Sequence, residues 1–175
     1  MNGAHDNILA SGIGFNEADL AANREGRLSE KQAERLLKAR RNTVQGMVGI
    51  MVLLTVILLP LAVLGQAQTG SPQVSIVIGL VWLGLMGLFL AIIRSGQAVQ
   101  ADAWRGQVEM VRGPVQCYTS SRGESGTQYN LRVRDVTFHK VDRDAYIAFK
   151  HLDAYIIYYT PQSKQIVAAE PLAGA

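Results

Sequence analysis

Hydrophobic and polar positions are segregated along this chain. No residue from Asn42 to Ile93 carries a charge, while all 17 Lys and Arg and all 14 Asp and Glu lie outside that window. A surface helix of a water-soluble fold needs a solvated face, so exclusion of charge over this length predicts membrane-spanning segments. Two apolar runs fill the window: GMVGIMVLLTVILLPLAVL, residues 46–64, and VSIVIGLVWLGLMGLFLAII, residues 74–93. Each is near the ~20 residues a helix needs to cross about 30 Å of hydrocarbon. Backbone in lipid must satisfy its own hydrogen bonds, which predicts helices rather than open strands. Neither run has the polar face expected of a core hairpin in a soluble protein. GQA, residues 65–67, has the small-x-small form of a leader cleavage site. The long mixed-charge segment before the first run and the second span after it argue against cleavage.

The flanks have other periodicities. Residues 1–15 are Gly- and Asn-rich without a repeat and read as a flexible arm. Residues 16–41 read as a helical hairpin. Asn16 caps the first helix and Gly26 ends it with a left-handed residue. Ser29 caps the second, with Gln32 three residues on completing a capping box. Leu20, Leu28, Leu36 and Leu37 give the pair a small apolar seam, and its second helix is expected to run on into the first span. The spans and their turn occupy residues 44–94, with the connecting loop at 65–73, and residues 95–104 form a connector.

Residues 105–172 change to a β pattern. Strand candidates are 107–117, 128–134, 136–140, 154–160 and 165–169, separated by the turn signals SSRGESGT, Asp135 and PQSK. Tyr129, Leu131 and Val133 alternate with Asn130, Arg132 and Arg134, as in a half-buried strand. Tyr146 and Phe149, three apart, suggest one helical turn. The expected fold class is a membrane α-helical hairpin of two transmembrane helices, plus a small all-β barrel of OB or SH3 type and a short N-terminal helical hairpin.

Charge sets the orientation. Lys38, Arg40 and Arg41 precede the first span, Arg94 ends the second, and Arg105 and Arg112 follow. The connection LGQAQTGSPQVS has no charge. The positive-inside rule places both termini in the cytoplasm and this turn outside, giving a multi-pass protein of the inner (plasma) membrane. Basic flanks beside anionic headgroups account for the net charge of +3 without a nucleic-acid partner.

Within the two spans Thr55 and Ser75 are the only hydroxyl side chains, and nothing ionises. Transport and proton relay mark themselves with intramembrane ionisable groups, so an ion path through this chain alone is disfavoured. Pro60 is expected to kink or end the first helix. Ser75 and Gly79 are spaced small-xxx-small, as are Gly87 and Ala91, with Gly84 near the second pair. One set is expected to pack within the hairpin and the other on a neighbouring protein or a second copy. Trp82, in mid-span, hints at the same.

Three resemblances follow from particular residues. NREGRLSEKQ is similar to the second half of an EF-hand loop, but the first ligand position falls on Ala21 and the bidentate Glu position on Gln32, which removes charge that calcium requires. The stretch of residues 16–41, through GRLSEKQAERL, resembles SHOCT-type helical hairpins, which implies a role in oligomerisation or attachment. The plan of spans followed by a β-domain ending in AYIIYYTPQSKQIVAAEPL is similar to uncharacterised bacterial membrane proteins. It is NfeD-like in general plan, which implies a scaffold or partner-binding role.

A search for chemistry finds little. Cys117 is the lone cysteine, so neither an internal disulfide nor a CxxC metal site exists. His139 and His151 with Asp142 and Asp144 match no common metal spacing. No nucleophile elbow, P-loop or dinucleotide fingerprint is present. Tyr155, Tyr158 and Tyr159 with Arg132 and Arg134 suggest a nucleic-acid stacking platform, but the tyrosines fall on both faces of a strand. The expected function is a non-catalytic membrane subunit or scaffold without a cofactor or metal, the hairpin packing in a larger assembly and the β-domain docking a cytoplasmic partner. The alternative is a membrane-tethered module that senses a ligand, peptide or lipid headgroup.

Overall fold

Capping chemistry starts two of the N-terminal helices. The Asn16 side chain accepts the Asp19 N–H at 2.8 Å, and the Asp19 carboxylate accepts the Asn16 N–H at 3.1 Å. One helix later the Gln32 N–H donates to Ser29 Oγ at 3.1 Å and the Ser29 N–H to Gln32 Oε1 at 3.2 Å. These reciprocal pairs satisfy donors that a helix start otherwise leaves open. Between them Gly26, at φ +75°, reverses the chain.

The computed structural model describes residues 3–69, 73–121 and 127–172. Its elements are α1 (Gly3–Ile13), α2 (Glu17–Arg24), α3 (Glu30–Thr69), α4 (Gln73–Ser95), α5 (Gln97–Arg105), β1 (Glu109–Ser121), β2 (Thr127–Val133), β3 (Val136–Phe138), α6 (Arg143–Ala148), β4 (Ala154–Tyr159) and β5 (Ile166–Pro171). Two compact units emerge. One joins Met1–Arg35 to Ala101–Ala175; the other is Leu36–Gln100. The second unit is therefore an insertion within the sequence of the first.

The inserted unit carries two helices long and apolar enough to cross a membrane, and no residue of their apolar windows is buried. The helix α3 is longer than the expected span. Its 40 residues extend about 60 Å at 1.5 Å per residue. Pro60 lies inside it and does not end it. Thr55 Oγ donates back to the Met51 carbonyl at 2.8 Å, one turn before the proline. The expected loop at 65–73 is mostly helix, since α3 continues to Thr69 and α4 begins at Gln73. Gln66, Ala67 and Gln68 are adequate helix formers, and the turn residues Gly70, Ser71 and Pro72 lie outside the described residues.

The other unit is a five-stranded antiparallel sheet in the order β3-β2-β1-β4-β5. It does not close into the expected barrel. β1 pairs with β4 from Glu109 to Pro114 and with β2 from Val115 to Ser121. Gly113, at φ +156°, and Pro114 stand at this change of partner. The edge strand β3 has three residues, too short a ladder to pair with β5 and close a cylinder.

Helices cover the sheet where closure would have. The expected arm is the helix α1, and its Leu9 is fully buried. Leu9, with Ile13 and Phe15 beside it, packs with Val115, Leu131, Val133, Phe138, Tyr155, Ile157 and Tyr159. The opposite face, around Tyr158 and Ala168, is covered by Phe15, Leu20 and Leu28. The β4–β5 end of the sheet is thus enclosed on both sides by residues from the chain's first thirty.

Candidate functional sites: two latches and an open cleft

Asp102 forms the first latch. It stands on α5, the helix that follows the second apolar helix, and is 1% exposed. Its carboxylate accepts the Gln162 N–H at 3.0 Å, the Ser163 N–H at 2.6 Å and the Ser163 hydroxyl at 2.7 Å. The turn between β4 and β5 is closed on itself by Thr160, which accepts the Gln165 N–H at 3.0 Å. A buried carboxylate saturated by amide and hydroxyl donors offsets its desolvation through charge-assisted bonds.

The second latch joins the N-terminal hairpin to the sheet. Gln32 Nε2 donates to the Val167 carbonyl at 3.0 Å in a buried setting. The Leu28 N–H donates to the Gly106 carbonyl at 2.7 Å and the Val108 N–H to the Gly26 carbonyl at 3.0 Å. These form a short antiparallel bridge between Arg27 and Gln107. Beside it Arg24 pairs with Glu170, and the Tyr158 hydroxyl donates to Glu170 at 2.6 Å. Burial pulls the Glu170 carboxyl upward, but the bonds from Arg24 and Tyr158 overcome it and hold the group below its ordinary value. Burial, with the Glu170 carboxylate next to it, pushes the Tyr158 phenol up to about 12.

A cleft of about 520 Å³ opens over β1 and β2, lined by Cys117, Tyr118, Arg132, Thr137, His151 and Leu152. The Cys117 N–H donates to His151 Nδ1 at 3.0 Å. That bond assigns the proton of a neutral imidazole to Nε2 and occupies Nδ1. Burial pushes the Cys117 thiol up, which disfavours the thiolate a nucleophile requires. The cleft therefore presents a guanidinium, an imidazole and apolar surface, without an activated nucleophile.

The residues singled out by sequence are distributed as follows. Lys38, Arg41 and Arg94 are exposed; the side chain of Arg40 lies outside the described residues. A Cβ built on Gly79, Gly84 or Gly87 would meet nothing within 4 Å. The side chain of Ala91 is exposed, and that of Ser75 lies outside the described residues. The glycine surfaces of α4 are thus open. Asp142 caps α6, accepting the Asp144 N–H at 3.3 Å. Among the described residues no group of three or more His, Cys, Asp or Glu is placed to hold a metal ion. Tyr155, Tyr158 and Tyr159 are all buried, so they offer no stacking platform.

Sequence reasoning missed Asp102 and Glu170. Asp102 had a signal: it is the one acidic residue between Glu34 and Glu109. Glu170 had none, because its partner Arg24 is 146 residues away. Comparison of the chain with protein-family models, curated proteins and solved structures yields no match.

Proposed function

We propose that this protein is a non-catalytic integral membrane subunit. Its hairpin packs among other membrane helices, and its sheet domain stands in the cytoplasm as a docking platform for a partner. The observation that carries the reading is the insertion of the apolar helices into one folded unit. Residues 1–35 and 101–175 share a core, and a single core cannot be divided by a bilayer. Both ends of the hairpin then lie on one side, and the basic residues Lys38, Arg40, Arg41 and Arg94 favour the cytoplasmic one. Open glycine surfaces on α4 suit close helix approach in lipid, where association depends on packing rather than on hydrophobic burial.

A second reading, a tethered binding module, is favoured by the cleft at Arg132 and His151. Extraction in mild detergent separates the two. A subunit purifies in a larger assembly of fixed stoichiometry, and Gly79→Leu or Gly87→Leu reduces the size of that assembly. A free monomer or dimer, unaffected by either substitution, contradicts the subunit reading and favours the module.

A further inference from the structure

The connection from α6 to β4 forms one wall of the cleft over β1 and β2, and that wall is pinned to β1. The Leu152 N–H donates to the Val115 carbonyl at 2.8 Å, and the Val115 N–H to the Asp153 carbonyl at 3.0 Å. Two residues further along β1 the Cys117 N–H donates to His151 Nδ1 at 3.0 Å, so an imidazole stands where a main-chain acceptor would continue the ladder. Leu152 is held at φ +69°, a left-handed conformation that a side chain of this size adopts where its surroundings impose it. The floor is a row of three polar side chains. Gln116 pairs with Arg132 across β1 and β2, and Arg132 pairs with Thr137 across β2 and β3. Their strand neighbours Val115, Leu131, Val133 and Phe138 lie in the core. Side chains alternate between the faces of a strand, so the row lies on the face away from that core. Arg132 Nε donates to the Arg134 carbonyl at 3.1 Å, which orients the guanidinium. Among the described residues no carboxylate forms an ion pair with Arg132, and no Asp or Glu lines the cleft.

We infer that this cleft binds a small organic carboxylate, held by the Arg132 guanidinium and the Nε2–H of His151, with its apolar body against Tyr118 and Leu152. The inference rests on the second reading above, that the cleft takes a ligand, and not on how the apolar helices pack. The polar lining is built to donate. Because Nδ1 of His151 accepts the Cys117 N–H, a neutral imidazole can offer only its Nε2–H to a ligand. The Thr137 hydroxyl and the Gln116 amide add donors on either side of the guanidinium. The planar fork of an arginine matches a carboxylate or a phosphate, and charge decides between them. Arg132 is the one Lys or Arg lining the cleft among the described residues, so it balances one negative charge. A phosphate monoester carries about −1.5 to −2 and leaves part of its charge unmatched. The volume of about 520 Å³ falls within the roughly 300–1,000 Å³ of small-molecule sites, where apolar surface meets a few converging polar groups.

The full chain in dodecyl maltoside is titrated with para-fluorobenzoate, and binding is read as broadening of the fluorine resonance beyond that in empty micelles. The amide para-fluorobenzamide has the same shape without the charge, and para-fluorophenyl phosphate carries more charge. The expected result is saturable broadening of the benzoate, with the amide bound at least about tenfold more weakly and the phosphate more weakly than the benzoate. Arg132→Gln should weaken benzoate binding at least about tenfold without lowering the melting temperature, because Arg132 is exposed. Arg143→Gln, exposed on α6 and outside the cleft, should leave binding unchanged. Benzoate should also slow alkylation of Cys117, the sole cysteine, by neutral iodoacetamide severalfold. Absence of saturable broadening, equal binding of the amide, or benzoate binding indifferent to Arg132→Gln overturns the inference. Tighter binding of the phosphate overturns the carboxylate as the ligand class. The comparison with the amide needs no variant, so it decides even if Arg132→Gln fails to fold. None of these results touches the second reading itself, which stands or falls by the size of the assembly extracted in mild detergent.

Discussion

The carboxylate of Asp102 accepts the backbone N–H of Ser163 at 2.6 Å, joining the helix that follows the second apolar segment to the β4–β5 turn. Sixty-one residues separate the two in the chain. The bond ties the helix that follows α4 to the sheet domain, as the bond from Gln32 to Val167 ties the start of α3.

Removing this carboxylate should loosen the domain. Asp102→Ala leaves the Gln162 and Ser163 amides without their acceptor, and a hydrogen bond to a charged group contributes about 1.5–3 kcal/mol. The expected loss of stability is about 3 kcal/mol, with Asp102→Asn intermediate. Thermal unfolding of the full chain in detergent measures it, and faster proteolysis at residues 161–165 should accompany it.

The N-terminal helix is expected to be structural. Leu9 is fully buried against the sheet, and truncating a buried leucine to alanine costs about 2–5 kcal/mol. Leu9→Ala should lower the melting temperature of the full chain clearly, while Ile8→Ala, at an exposed position, should not. Equal and negligible effects would mean that α1 does not cover the core.

The contact between Arg24, Glu170 and Tyr158 predicts a pH window. Glu170 is held below its ordinary carboxyl value, so its contribution is present above the ordinary range and is lost as pH falls through the lowered value. Tyr158 is raised from 10.0 to about 12, so its contribution is present below pH 10.0 and is lost as pH rises toward 12. Melting temperature against pH should show a plateau with an acid and an alkaline limb. Glu170→Gln should flatten the acid limb. Tyr158→Phe should flatten part of the alkaline one, to which Tyr159, also raised to about 12, and Tyr146 and Tyr155, both raised by burial, contribute as well.

The apolar helices and most strands were legible because their signals are local. Exclusion of charge marks α4 and the part of α3 from Asn42 on, and the alternation around Tyr129, Leu131 and Val133 marks β2. The capping residues Asn16 and Ser29 and the left-handed Gly26 are likewise read within a few positions. Global pairing was not legible. Whether five strands close depends on the length of the edge strand β3 and on what covers the open face. Leu9, Ile13 and Phe15 supply that cover from a segment whose composition looks unstructured. The same holds for the polar contacts: Glu170 meets Arg24 across the whole sequence, and no periodicity records such a pairing. Asp102 was visible as an isolated acid, but its partners are main-chain amides, which a sequence does not display.

Topology tests the account most directly. In a Cys117→Ser background, single cysteines replace Ile8, Gln68 and Ser121, and each variant is treated with a membrane-impermeant maleimide in intact cells and after permeabilisation. The account predicts that the cysteine at position 68 labels in intact cells, while those at positions 8 and 121 label only after permeabilisation. Labelling of positions 8 and 121 from opposite sides, or of position 68 from the same side as both, would contradict a membrane hairpin inserted into one cytoplasmic domain.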